Sequence, residues 1–338
     1  MQRFLPALTA CALALLIWPS VGWAQVDAYV LQEWDDRANA VDIHCTKARA
    51  QTAEIFASAM MYIRGEQDDY VTQAEISSLV SSINTRMRLC DSYFQQLEPP
   101  PRSREPGLAQ FALKLRAKYE LIETSRGEFG ERFTAVQTAA ERVLEQGALL
   151  ENALISAFVD YVAWELNLDN RPIETELATF TNPDAYFYDR SAQRTLNNAV
   201  IATIKMLRDQ FTKATSNQGL SAQAESVRAT LDKMEEELAN GRAALAQELE
   251  QVAEGTWDPD LSELDKPRVQ EALTIHETTF GLYEAVAEEI GKILDSVTSG
   301  APSSDPAQQF FVLVAIVGRA SEYQAMAQTR QTRLMMGF

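Results

Sequence analysis

The stretch from Asp27 to Arg64 reads DAYVLQEWDDRANAVDIHCTKARAQTAEIFASAMMYIR, and its mostly apolar stripe recurs at alternating steps of four and three. That spacing places the residues on one narrow stripe of an α-helix. The stripe consists of Trp34, Ala38, Val41, Cys45, Ala48, Thr52, Ile55, Ala59 and Tyr62. A narrow stripe of this kind predicts that the helix packs lengthwise against other helices, as in a bundle or a coiled coil.

The same pattern continues on both sides of a short turn and through the rest of the chain. Gly65 predicts the end of the first helix, and Pro99 predicts the end of the second, which begins near Thr72. The further predicted helices cover residues 108–167, 183–217, 221–252, 265–297 and 305–336. The apolar run Phe310–Val317 predicts that the last helix is central. We therefore expect an all-α protein, an elongated bundle of about seven long antiparallel helices with coiled-coil-like packing.

The first 24 residues are typical of a cleaved export signal. Arg3 provides the positive start, an apolar run follows from Leu5 to Trp18, and Gly22 and Ala24 are the small residues that a signal peptidase requires. The alternative, a membrane anchor, is disfavoured because the run is shorter than the ~20 residues of a membrane span.

The rest of the chain is predicted to divide at an irregular segment. We expect an N-terminal helical part over residues 25–167, a connector over 168–182, and a C-terminal helical part over 183–338 that packs on the first.

Two cysteines follow the signal, Cys45 and Cys90, and both lie on the apolar stripes of the first two helices. The turn between these helices is centred midway between the two cysteines. An antiparallel hairpin therefore places the two sulfur atoms at the same height, which predicts a disulfide in an oxidising compartment. Two buried free thiols are the alternative.

The charge of the chain excludes several partners. Asp and Glu number 48 against 30 Lys and Arg, which gives a formal net charge of −18. This acidity disfavours binding to nucleic acid and to anionic lipid. No second stretch is long and apolar enough to span a membrane, so we expect a soluble protein in the periplasm or outside the cell. A partner would then be another envelope protein, and the oligomeric state stays open.

The sequence contains no catalytic, cofactor or metal-binding motif that we recognise. The two histidines are His44, beside the first stripe, and His276, on the stripe of the sixth predicted helix. We expect His44 at the edge of a packed interface and His276 as a hydrogen-bonded residue of the core. No cofactor or metal is predicted.

Aromatic residues lie at the predicted connector: Phe180 near its end, and Tyr186, Phe187 and Tyr188 just after it. Such a group can form a partner surface or line a ligand cleft. It can also cap the end of a bundle, which is the interpretation we favour.

These observations favour a non-enzymatic exported protein that acts through its surfaces as a scaffold, adaptor or envelope accessory. The alternative is a periplasmic bundle that binds a small molecule or an ion in a cleft near residues 161–188. An enzyme without a recognisable motif is the third hypothesis.

Overall fold

The structure, a computed structural model, describes residues 20–103, 106–178, 184–258, 262–299, 309 and 312–313. Over these residues the secondary structure is helical and contains no strand, so the predicted all-α bundle is confirmed. The helices are α1 (Ser20–Ile63), α2 (Asp69–Phe94), α3 (Pro106–Gln146), α4 (Glu151–Leu177), α5 (Ala185–Phe211), α6 (Asn217–Glu254) and α7 (Lys266–Ser299). A 3₁₀ turn, Gly147–Leu150, joins α3 to α4.

The helices form two compact units. Unit 1 contains residues 20–50 and Ser81–Glu128, and unit 2 contains Gln51–Val80 and the described residues from Phe129 onwards. This division differs from the predicted one at 168–182, because α1, α2 and α3 each contribute residues to both units.

Unit 1 is built on the apolar stripes of α1 and α2. Trp34, Val41 and Cys45 are buried on α1, and Cys90 and Phe94 are buried on α2. A disulfide joins Cys45 to Cys90 with their Cα atoms 5.4 Å apart, which confirms the predicted bond. The covalent link therefore lies in the core of this unit.

Polar contacts attach α3 to the unit 1 hairpin. The Nζ atom of Lys118 lies 2.8 Å from the carboxylate of Asp35, and the guanidinium of Arg126 lies 3.0 Å from that of Asp91. These contacts join α3 to α1 and to α2.

In unit 2, α5 packs against α4, α6 and α7. Two hydrogen bonds define the direction of α6 relative to α5. The early residue Ala185 bonds Glu248 and the later residue Ser191 bonds Glu237, so α6 runs antiparallel to α5. Buried aliphatic residues form the common interior. They include Leu196, Val200, Ile204, Met234, Leu238, Ala272, Ile290 and Leu294.

The third predicted helix, 108–167, is two helices. Gly147 adopts a positive φ of 73°, a conformation that an α-helix cannot contain, and the chain turns there before α4 begins at Glu151. Gly127 and Gly130, although glycines too, both lie inside α3.

The predicted connector 168–182 is wrong over residues 168–177, because α4 continues to Leu177 and contains Pro172. The proline removes one backbone donor. Leu168 and Ile173 are fully buried beside it, and this burial offsets the loss. Helix α5 then starts after Asp184, whose side chain accepts a hydrogen bond from the Phe187 backbone N–H.

Three sequence expectations fall mainly outside the described residues: the signal segment up to residue 19, Phe180, and the helix predicted over 305–336. Of the last, Leu313 is buried and Val312 is exposed. Among the described helices, none combines the length and apolar character that crossing a membrane requires.

Candidate functional site

A carboxylate lies in the interior of unit 2 and binds two side chains of α7. Asp189 on α5 is 2% exposed, and its Oδ2 atom lies 2.7 Å from Nδ1 of His276, which is 1% exposed. The hydroxyl of Tyr283 donates to Oδ1 of the same carboxylate at 2.8 Å. Both oxygens of Asp189 are thus used, and they join α5 to α7.

A second carboxylate lies beside the first. Glu176 near the end of α4 accepts two hydrogen bonds at Oε2, from the Tyr186 hydroxyl at 2.9 Å and from Nε of Arg190 at 2.7 Å. Arg190 is buried and also donates to Gln193. We call Glu176, Tyr186, Asp189, Arg190, His276 and Tyr283 the buried charge cluster.

Ring contacts hold the two halves of the buried charge cluster together. The Tyr186 ring meets the His276 ring edge-on with centroids 5.9 Å apart, and the Phe280 ring stacks on the His276 ring with centroids 6.2 Å apart. A glycine on α6 permits the close packing: a Cβ atom at Gly241 would lie 2.7 Å from Cζ of Phe280 and 3.0 Å from Cβ of Tyr188.

Burial changes the proton affinities in this region. It raises the pKa of the Tyr186 and Tyr283 phenols well above the usual value, and the carboxylates of Glu176 and Asp189 add to the rise. Burial alone would lower the pKa of Arg190, but the attraction of Glu176 and of the other cluster members holds that pKa above its usual range. Both phenols therefore stay protonated as donors, and Arg190 stays charged.

The geometry favours a structural role for these groups. A buried ionic group that keeps its hydrogen bonds fixes the register of the helices that supply it. The bonds of Glu176 join α4 to α5, and those of Asp189 join α5 to α7. An Asp–His pair can also orient a general base, and this chemical capacity is the reason to treat the cluster as the candidate site.

The sequence-predicted aromatic residues lie at the start of α5. Tyr186 enters the buried charge cluster, whereas Tyr188 faces Gly241 of α6. The Phe187 and Tyr188 rings meet edge-on at 5.3 Å, and both side chains are half-buried. The three residues thus contact different neighbours, as expected from successive positions on a helix.

Sequence reasoning found His276 but missed Asp189, Glu176 and Arg190. A signal for Asp189 exists. When the apolar stripe of α5 is extended from Leu196 toward its start in steps of three and four, it passes through positions 193, 189 and 186. A carboxylate on an apolar stripe indicates a buried partner, and His276 and Tyr283 share the stripe of α7.

The sequence-predicted residues of unit 1 surround the disulfide. His44, next to Cys45, stacks on Tyr93 of α2 with ring centroids 5.4 Å apart. His44 is partly exposed, so the pair lies at the edge of the packed hairpin. The disulfide and this stack join the same two helices.

One surface pocket of about 370 Å³ lies in unit 2 on α3, beside the 3₁₀ turn and the first turn of α4. It is remote in sequence from the cleft predicted near 161–188, where Tyr161 and Trp164 are buried. Within the described ranges, no group of three or more His, Cys, Asp or Glu side chains is arranged to hold a metal ion.

Comparison with known proteins gives no match: no family model, no curated protein and no solved structure matches the chain.

Proposed function

We propose that the chain is an exported, non-enzymatic helical protein that acts through its surfaces as a scaffold, adaptor or envelope accessory. The observation that carries this proposal is the tip of the α1–α2 hairpin, residues 61–71, which belongs to unit 2. Tyr70 at this tip is 81% exposed, and Met61 and Val71 are exposed with it. Large apolar side chains grouped on a surface favour contact with another protein.

Hydrogen bonds at the base of the tip support a fixed shape. The carboxylate of Glu75 accepts from the Ser58 hydroxyl at 2.8 Å and from the Gln67 amide at 2.9 Å. Asp68 accepts from the Val71 backbone N–H at 2.8 Å and so caps the start of α2. A surface that is ordered before binding loses less entropy when a partner docks.

The charge of the tip indicates the chemistry of its partner. Glu66, Asp68 and Asp69 are exposed acidic residues around Tyr70. We therefore expect a protein surface that offers apolar side chains together with lysine or arginine, since charge complementarity of this kind steers association.

Two further observations support the rest of the proposal. The Cys45–Cys90 disulfide is the type of bond that persists in an oxidising compartment outside the cytosol. The hydrogen bonds within the buried charge cluster favour a structural use of the side chains that could otherwise support catalysis.

Site-specific photo-crosslinking in living cells tests the proposal. A photoreactive residue replaces Tyr70, and a second strain carries it at Tyr29, which is also exposed but lies in unit 1. We expect one discrete adduct from position 70 that the additional change Asp69→Lys removes. Equal labelling at both positions, or none at position 70, contradicts a partner at the tip.

The first residue of the isolated protein tests the predicted export. The protein isolated from the cell envelope should begin at Gln25, the residue after the predicted cleavage. Recovery of the chain only from the cytosol, with residues 1–24 attached, would contradict the predicted export. The crosslinking result tests the partner at the tip independently of this outcome.

A further inference from the structure

The surface pocket on α3 has a charge arrangement that the proposed function does not use. Six of its lining residues lie on one face of α3, at steps of three and four over three helical turns. They are Glu131, Thr134, Ala135, Thr138, Ala139 and Arg142, and we call them the α3 face. Leu150 and Ala153 form the adjoining wall.

The two ends of the α3 face carry opposite charges without an ion pair. Glu131 and Arg142 are both exposed, and neither has a hydrogen-bond or ion-pair partner in the described part of the chain. They lie about 16 Å apart along the helix at 1.5 Å per residue, which is too far for them to pair with each other.

The residues of the α3 face are arranged symmetrically about its middle. The midpoint between Glu131 and Arg142 is also the midpoint between Thr134 and Ala139, and between Ala135 and Thr138. An antiparallel second copy of the same helix therefore presents Arg142 opposite Glu131 at both ends, and small side chains opposite small side chains in the centre.

We propose that the α3 face binds the α3 face of a second copy of this chain in an antiparallel, two-fold contact. A two-fold contact uses the same patch on both partners, and it requires that patch to be complementary to itself. The charges at positions 131 and 142 meet this requirement, and Thr and Ala between them allow the two helices to approach closely.

The wall beside the α3 face supports the same contact. Leu149, in the 3₁₀ turn next to Leu150, is 90% exposed. A helix that docks in the pocket would cover apolar surface on this side. The proposal goes beyond the α1–α2 tip, because it concerns self-association and a different surface.

Charge reversal tests the contact without disturbing the core. We expect the purified full chain to show a monomer–dimer equilibrium in sedimentation velocity near physiological salt, where the long-range repulsion of the acidic chain is screened. Either Glu131→Arg or Arg142→Glu alone places like charges opposite each other and should weaken the dimer by about tenfold or more.

Mixing the two single variants gives the decisive measurement. The arginine pair of one variant then faces the glutamate pair of the other, so two proteins that each fail to self-associate should form a heterodimer. The double variant Glu131→Arg/Arg142→Glu should recover the wild-type dimer.

Arg132→Glu is the matched control, since it makes the same charge change at an exposed neighbour outside the pocket lining. We expect it to leave the dimer unchanged. A wild-type chain that stays monomeric at every concentration overturns the proposal. So does a dimer that neither single reversal weakens, or a mixture of the two variants that forms no heterodimer.

Discussion

The side chains of Asp189 and His276 meet 2.7 Å apart inside unit 2, although α5 and α7 are separated in the sequence by the whole of α6. The contact uses one carboxylate oxygen, and Tyr283 uses the other. A single buried charge thus links two helices that are not consecutive.

Asp189→Ala should destabilise the protein strongly. The change leaves His276 and Tyr283 buried without their acceptor, and breaking a buried charged contact lowers the free energy of unfolding by about 3 kcal/mol or more. Urea unfolding measures this difference. Glu284→Gln, which alters the exposed ion pair with Arg242, is the control and should change stability by less than about 1 kcal/mol. Equal losses in the free energy of unfolding for the two variants would contradict a large contribution of the Asp189 contact to stability.

Loss of the Cys45–Cys90 bond should lower the stability of the hairpin in unit 1. The bond closes a loop over a sequence separation of 45, for which the chain-entropy estimate is about 4 kcal/mol. We expect Cys90→Ser to lower the thermal midpoint while the helical circular dichroism at low temperature stays the same. Peptide mapping without reductant should recover the two cysteines as one linked pair, and two free thiols would contradict the assignment.

Two glycines should respond in opposite directions to alanine. Gly241→Ala places a methyl group against the fully buried Phe280 ring, and overpacking of this kind costs about 1–3 kcal/mol. Gly281→Ala on α7 meets no atom within 4 Å and should stabilise the helix by about 1 kcal/mol through its higher helix propensity. Thermal melts of the two variants measure these changes. If both variants raise the thermal midpoint, the structure around Gly241 relaxes to accept the methyl group, which contradicts the prediction.

The aromatic start of α5 should behave as part of the core. Tyr186→Ser together with Tyr188→Ser removes the hydrogen bond to Glu176 and the packing against α6, at a cost of about 1–3 kcal/mol for each ring. Tyr29→Ser, at an exposed tyrosine, is the control. An unaltered thermal midpoint in the double variant would instead favour a partner surface at these positions.

The pH dependence of stability should contain a contribution from Glu248. Burial raises the pKa of this carboxyl, and the Asp184 carboxylate adds to the rise, although the Ala185 N–H opposes it. A raised pKa means that the contribution of Glu248 to stability is complete at low pH and is lost as pH rises through the folded-state pKa.

Glu248→Gln keeps an acceptor for the Ala185 N–H and cannot ionise. The advantage of this variant over the wild type in urea unfolding should therefore grow from pH about 4 to pH about 7. Glu250→Gln, at an exposed residue of the same helix, should show no such trend. A constant difference for Glu248→Gln across this range would contradict the raised pKa.

The helices and the disulfide could be predicted because they depend on local periodicity and register. The stripe from Trp34 to Ala59 is buried as predicted, and the equal distances of Cys45 and Cys90 from the turn were sufficient to pair them. Both inferences need only the rise and the repeat of a helix.

The breaks between helices were less predictable, because tertiary packing competes with local preference. Pro172 is an unfavourable residue inside a helix, yet the burial of Leu168 and Ile173 holds α4 together across it. At Gly147 the turn depends on a positive φ, which Gly127 and Gly130 of α3 do not adopt. Both partners of Asp189 come from α7, which is distant in the sequence, so only the fold itself brings them together.

The disulfide also has a consequence for how the protein matures. Two cysteines can pair with each other in only one way, whereas four allow three pairings. If residues 1–24, which contain Cys11, are removed on export as proposed above, Cys45 and Cys90 have no competing thiol in the remaining sequence. An exported chain of this kind would depend on an oxidant to close its first hairpin, but it could form no mispaired isomer and would need no disulfide isomerase to correct one.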